Sequence, residues 1–273
     1  MIRAAVTALL VALGAYALIA GYMYFNQRQF LYHPDVKRVD PASLGIAGAE
    51  VIEITTPDGE KLVAWYSPAA PGKPTVLFLH GNAGSIAERP LRFQYYQKAG
   101  FGVLYLSWRG YGGSTGQPSE QGLLVDATAA YDWLMAKGIS PDKLVVVGES
   151  LGTGLAVQLA ASHPVAALAL EAPYTSMVDV ARYYYGWLPV RLLLRDCFDS
   201  IDRIAKIHAP LIIFHGDADP VVPFALGKRL FEAAAEPKQF VAIPGGTHGS
   251  IFEEPTWAQE VAFFLKAVKE REG

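Results

Sequence analysis

Ser150 stands between two glycines in Gly148-Glu149-Ser150-Leu151-Gly152, directly after the apolar run Leu144–Gly148. A serine hydroxyl attacks a carbonyl only when a base takes its proton and an acid orients that base. His248, in Pro244-Gly245-Gly246-Thr247-His248-Gly249, follows the last apolar run and precedes the last helical segment, where a loop can carry a base. His33 is juxtamembrane, His163 ends a helical segment before Pro164, and His208 comes before the run at Leu211 instead of after it. Those three read as surface or structural residues. For the acid, His215-Gly216-Asp217-Ala218-Asp219-Pro220 leaves the end of the preceding run, and Asp219 is the expected partner. Asp217 and Glu171 compete with it, and an Asx turn accounts for an aspartate left unused.

Attack on a carbonyl also builds negative charge on its oxygen, which backbone N–H groups must receive. Leu151, the residue after the serine, is one expected donor. Asn82, in His80-Gly81-Asn82-Ala83-Gly84-Ser85, is the other. A phosphate-binding loop is the alternative for that stretch, but the lysine such a loop needs is missing. Arg109, in Ser107-Trp108-Arg109-Gly110-Tyr111, is expected to organise the loop through hydrogen bonds. No metal or organic cofactor is required by chemistry of this kind. The five letters around Ser150 are weak alone, and a tight turn with an idle serine is the bland reading. They gain weight because the elbow needs a strand before it and a helix after it.

Those elements are legible. Thr75–His80, Val103–Trp108, Leu144–Gly148, Ala166–Glu171, Leu211–His215 and Phe240–Ile243 are short, nearly continuous apolar runs, as expected of strands buried on both faces. Val51–Thr56 and Leu62–Ser67 flank the turn Pro57-Asp58-Gly59 and read as a hairpin. Arg89–Ala99, Gln121–Lys137, Leu151–Ser162, Leu226–Ala235 and Trp257–Lys269 carry helical periodicity. The alternation predicts an α/β fold, a mostly parallel eight-stranded sheet with helices on both faces. Chemistry in such sheets gathers at the carboxyl ends of the strands, where all four motifs fall.

The chain of 273 residues is 52% hydrophobic and 18% charged, which suits a large core and argues against disorder. A net charge of −3 without a basic run makes nucleic acid a poor partner. The single cysteine, Cys197, excludes an internal disulfide and a Cys-based zinc cluster. From Ala4 to Phe25 no residue is charged, long enough to cross the hydrocarbon of a bilayer as a helix. Residues 1–26 are therefore expected to be a single-pass N-terminal transmembrane anchor, with the side of the membrane left open. A signal peptide cleaved after Ala15-Tyr16-Ala17 is the competing reading. Residues 27–273 then form the catalytic domain, with a short helical cap inserted at about 174–209.

The stretches RQFLYHP, TTPDGEKLVAWY, LFLHGNAGS, SWRGYGGSTGQPSE, VVGESLGTG, LEAPYTS, HGDADPVVP and GGTHG together resemble the α/β-hydrolase superfamily. Within it they are similar to membrane-anchored serine hydrolases related to eukaryotic protein depalmitoylases. The resemblance implies an α/β-hydrolase fold, Ser150 as nucleophile, Asp219 as acid and His248 as base. It also implies that the N-terminal segment is a genuine membrane helix. The cap holds Tyr183-Tyr184-Tyr185-Gly186-Trp187-Leu188, and Tyr184, Trp187 and Leu188 are candidates to line a site for an apolar acyl group. Packing onto the core is the plainer account of the same run. The expected activity is cleavage of a carboxylic ester or thioester of an apolar, lipid-like acyl substrate through an acyl-enzyme. A peptidase or amidase, acyl transfer to another acceptor, and a non-catalytic lipid-binding or scaffold protein are the alternatives.

Overall fold

The computed structural model describes residues 1–272. Helix α1 (Ile2–Leu31) leads into a two-residue strand, β1 (His33–Pro34). The hairpin β2 (Glu50–Thr55) and β3 (Lys61–Ser67) follows, then β4 (Thr75–Leu79), the two-residue β5 (Ala83–Gly84), α2 (Pro90–Lys98) and β6 (Gly102–Leu106). Next come α3 (Glu120–Ala136), β7 (Leu144–Glu149), α4 (Leu151–Ala160) and β8 (Ala167–Glu171). The chain ends with α5 (Met177–Tyr185), α6 (Val190–Leu193), β9 (Leu211–Gly216), α7 (Phe224–Ala233), β10 (Lys238–Ile243) and α8 (Glu254–Glu272).

Eight of the strands make one sheet in the order β2-β3-β6-β4-β7-β8-β9-β10. β2 and β3 are antiparallel, β3 meets β6 antiparallel, and the pairs from β6 to β10 are parallel. The apolar runs are continuous because alternate residues feed two cores. Leu77, Leu79, Val146, Leu168 and Ile213 pack with α3, α4 and α7 on one face. Val76, Phe78, Val147, Ala169 and Ile212 pack with α2 and α8 on the other. At roughly 1.5–3 kcal/mol for each fully buried large side chain, these two layers dominate the stability of the domain.

Helix α1 alone, among the described residues, is long and apolar enough to cross a membrane by length and composition. It continues to Leu31, past the boundary expected at residue 26, and none of its residues is buried. Its second half lies along α5 and α6, which form the cap. Ala20 and Met23 pack against Val178, Leu188 and Val190, and the Tyr16 ring meets Trp187 edge-on at 6.0 Å. Asp196 fixes the end of the helix: it is bound by Arg28 Nε at 2.9 Å and accepts from the Tyr32 hydroxyl at 3.1 Å.

Candidate active site

Ser150 sits where β7 ends and α4 begins, with φ 50° and ψ −114°. That conformation costs a non-glycine residue roughly 1–3 kcal/mol, so the surroundings must enforce it. They do so by close approach. A Cβ on Gly152 would collide with the carbonyls of Leu79 and His80, and one on Gly148 would stand 2.8 Å from the Gly152 carbonyl oxygen. The Ser150 N–H donates to the Glu171 carbonyl at 2.9 Å, and Thr153 Oγ1 donates to the Ser150 carbonyl at 2.7 Å. The strand, turn and helix thus lift the Ser150 hydroxyl above the sheet.

His248 Nε2 lies 3.0 Å from Ser150 Oγ, and His248 Nδ1 lies 2.7 Å from Asp219 Oδ2. A carboxylate only accepts, so Nδ1 carries the proton and Nε2 offers its lone pair to the serine hydroxyl. Asp219 Oδ1 accepts from the N–H groups of Val221 and Val222 at 2.7 and 2.9 Å. Burial alone would raise the Asp219 pKa, but the contacts from His215, His248 and the Val222 N–H outweigh it and hold the group far below the carboxylate range. Of the two histidines, His248 is the closer partner. His215 Nε2 is 3.6 Å from Asp219 Oδ2 and donates to the Val222 carbonyl at 3.0 Å. Phe252 covers the other side of His248 edge-on, with ring centroids 5.6 Å apart.

The competing acids lie elsewhere. Asp217 accepts from the Gly245 N–H at 2.7 Å, which ties the loop of Asp219 to the loop of His248. Glu171 is buried at the end of β8, 2.6 Å from Arg92 Nη1. Arg92 also bonds Glu260, and the Tyr96 hydroxyl donates to the same carboxylate at 2.5 Å. Glu149, beside the serine, is clamped by Arg89 Nε at 2.8 Å.

The loop after β4 passes directly over Ser150: a Cβ on Gly81 would stand 3.5 Å from Ser150 Cβ. Asn82 is committed on two sides. Its side-chain amide donates to the Leu31 carbonyl at 2.9 Å, while its own carbonyl accepts from the His33 N–H and the Tyr111 hydroxyl. The Asn82 side chain is thus spent on α1, which leaves its backbone N–H on the loop that passes over Ser150. The short parallel pair β1–β5 holds this loop against the end of α1. Sequence reasoning missed that pair because two residues have no periodicity to read. Arg109 does not bond the loop after β4; it joins α3 to the β2–β3 turn, with Nε 2.9 Å from Asp126 Oδ1 and Nη1 2.8 Å from Asp58 Oδ2. Chiefly through its bond from Arg109, Asp58 is lowered to a pKa of about 2.

The cap residues separate. Tyr184 donates its hydroxyl to the Pro220 and Val221 carbonyls at 2.5 and 2.8 Å, next to Asp219. Together with Leu188 it lines an apolar groove between α1 and the cap. Trp187 instead faces α1, where its carbonyl accepts from the Tyr16 hydroxyl at 3.3 Å.

Residues 74–199 match the model of the alpha/beta hydrolase fold family, and an uncharacterised Mycobacterium tuberculosis protein is 41% identical over 90% of this chain and 88% of its own. The chain belongs to the α/β-hydrolase superfamily. Residues 190–255 of this α/β-hydrolase also match a model described as serine aminopeptidase, S33. A lysophosphatidylserine lipase of Danio rerio is 32% identical, over 74% of this chain and 61% of that one. An esterase of Pyrococcus furiosus superposes with a TM-score of 0.70 at 20% identity, covering 87% of this chain and 98% of its own, which is a likeness of fold.

Proposed function

We propose that this α/β-hydrolase cleaves carboxylic ester or thioester bonds of substrates with an apolar acyl group, beside a membrane in which α1 is the anchor. The observation that carries the reading is the unbroken path from Ser150 Oγ to His248 Nε2 and from His248 Nδ1 to Asp219, at 3.0 and 2.7 Å, on a strained elbow. Ser150 attacks the carbonyl carbon as its proton passes to His248 Nε2. Asp219, held ionised, stabilises the imidazolium and keeps the ring in the productive tautomer. The backbone N–H groups of Asn82 and Leu151 receive the developing oxyanion, each contributing roughly 3–4 kcal/mol of transition-state stabilisation. His248 then protonates the leaving alcohol or thiol, and water resolves the acyl-enzyme by the same route in reverse.

The apolar groove beside Tyr184 and Leu188 supports an acyl substrate, as does the likeness to a lipase acting on a lysophospholipid. The match to a serine aminopeptidase model favours a second reading, cleavage of an amide. Purified full-length protein assayed against acyl esters, acyl thioesters and aminoacyl amides separates the two. The expected result is turnover of the esters and thioesters, with Ser150→Ala losing both turnover and labelling by a fluorophosphonate probe. Preference for the amides supports the peptidase, and full ester turnover by Ser150→Ala defeats the mechanism. Anchoring by α1 predicts that membrane-extracted protein keeps residues 1–26, whereas a chain beginning after Ala17 supports a signal peptide.

A further inference from the structure

The groove between α1 and the cap is an open cleft with a volume of about 190 Å³. Met23, Gln27 and Phe30 supply the wall from α1, and Val180, Leu188 and Leu194 supply part of the wall from the cap. No lining residue is an acid, a base or a histidine. Of the four polar side chains that line it, Gln27, Tyr184, Tyr24 and Tyr185, the first two are already used. Gln27 donates to the Tyr24 and Leu193 carbonyls and accepts from the Arg195 N–H, and the Tyr184 hydroxyl is spent on Pro220 and Val221. Apart from the Tyr24 and Tyr185 hydroxyls, what remains for an occupant is hydrocarbon surface, which suits an alkyl chain.

Each wall is hydrogen-bonded to a loop of the active site. Leu31, at the end of the α1 wall, receives the side chain of Asn82 from the loop over Ser150. Tyr184, in the cap wall, reaches the two carbonyls that follow Asp219. The two walls of the groove are thus tied to the two loops that flank Ser150. Asp196, bound by Arg28 and Tyr32, holds α1 in place as a wall of the site.

The depth of the groove follows from helix geometry. Met23 and Tyr24 belong to the uncharged stretch Ala4–Phe25. Tyr16, which touches Trp187, lies about 13 Å further toward the N-terminus than Phe25, at 1.5 Å per residue. The cap thus runs alongside a segment that a bilayer would cover, and its exposed apolar side chains include Trp187 at 53% and Leu192 at 83%. A cap with such a face fits the acyl region of a lipid leaflet.

We infer that α1 is part of the substrate site: the acyl chain of a bilayer-resident ester enters sideways between α1 and the cap, and lies against Met23 and Phe30 while its carbonyl reaches Ser150. This inference rests on the proposed ester hydrolysis. Full-length protein in phospholipid nanodiscs is assayed with p-nitrophenyl acetate and p-nitrophenyl palmitate. Met23→Trp and Val180→Trp fill the groove from opposite walls. Leu18→Trp, on an exposed part of α1 outside the groove, is the control.

The expected result is a fall of tenfold or more in palmitate kcat/KM for both groove variants. Acetate turnover should stay within twofold of the unsubstituted protein, and Leu18→Trp should change neither. Unchanged palmitate turnover in both groove variants overturns the inference, as does an equal fall on both esters. If the unsubstituted protein hydrolyses neither ester, the parent reading fails and takes this one with it, an outcome visible before any variant is made.

Discussion

The side-chain amide of Asn82 donates to the carbonyl of Leu31 at 2.9 Å, so the loop above Ser150 hangs from the last residue of the N-terminal helix. Placement of that loop is coupled to placement of α1. The expected consequence is that Asn82→Ala, which keeps the backbone N–H, still impairs the reaction because the loop loses its suspension. A lost hydrogen bond of about 0.5–1.5 kcal/mol corresponds to a fall of up to roughly tenfold. It should appear in kcat on a short ester with KM little changed, since a short acyl group makes no use of the groove. A kcat equal to that of the unsubstituted protein would show that the loop holds its position without α1.

His80, the first residue of the same loop, sets a pH limit on stability. Burial, with the nearby charge of Arg89, pushes its pKa from the usual 6.5 down to about 3. Its Nδ1 is 2.7 Å from the Gly81 carbonyl, and among the described residues its Nε2 has no hydrogen-bond partner. The unfolded chain binds a proton here below pH 6.5, whereas the folded chain does so only near pH 3. Stability from this group is therefore complete above pH 6.5 and falls as the pH drops toward 3, by at most about 1.4 kcal/mol per pH unit. Urea unfolding midpoints between pH 7 and 4 should decline more steeply for the unsubstituted protein than for His80→Gln. Parallel lines would mean that His80 titrates normally.

Much of this arrangement is legible in the amino-acid sequence. Leu144–Gly148 and its neighbours announce themselves as strands because alternate residues must satisfy two cores, and Ser150, Asp219 and His248 each follow such a strand locally. The side-chain role of Asn82 and the path of the cap were not legible. Both depend on pairs distant in sequence, Asn82 with Leu31 and Tyr16 with Trp187, separated by 51 and 171 residues. Periodicity carries no information about such pairs, so Trp187 read as a lining residue although it faces α1. Glu171 was a candidate acid because it ends a strand. Only the packing of α2 and α8 reveals that Arg92 has claimed it.

That buried network should be highly sensitive to the loss of its cation. The Arg92 side chain is 2% exposed, and its partners Glu171 and Glu260 are fully buried. Burial and the charge of Glu260 raise Glu171 well above the usual carboxylate range, against the pull of Arg92. Removing the cation leaves the carboxyl groups without compensation. Arg92→Met is expected to cost about 3–5 kcal/mol. Adding Glu171→Gln and Glu260→Gln should recover part of the loss, since the uncompensated charge is then gone. Thermal unfolding of the single and triple variants decides it, and a triple variant less stable than the single one would contradict the charge argument.

Asp219→Asn offers the sharpest test of how the site works. The carboxylate accepts from His248 Nδ1 and from the Val221 and Val222 N–H groups, so it sets which imidazole nitrogen carries the proton. An amide of nearly the same shape can keep the loop in place while donating to Nδ1 from its NH₂ group. The ring then protonates Nε2, which can no longer accept from Ser150. Turnover should fall by roughly 10⁴-fold with KM for a short ester nearly unchanged. Because Asp219 is held far below its ordinary range, its own titration cannot limit the unsubstituted enzyme anywhere near neutrality. The acid limb of the kcat/KM profile should therefore carry no contribution from the Asp219 carboxyl. An Asp219→Asn variant within tenfold of full turnover would remove Asp219 from the mechanism.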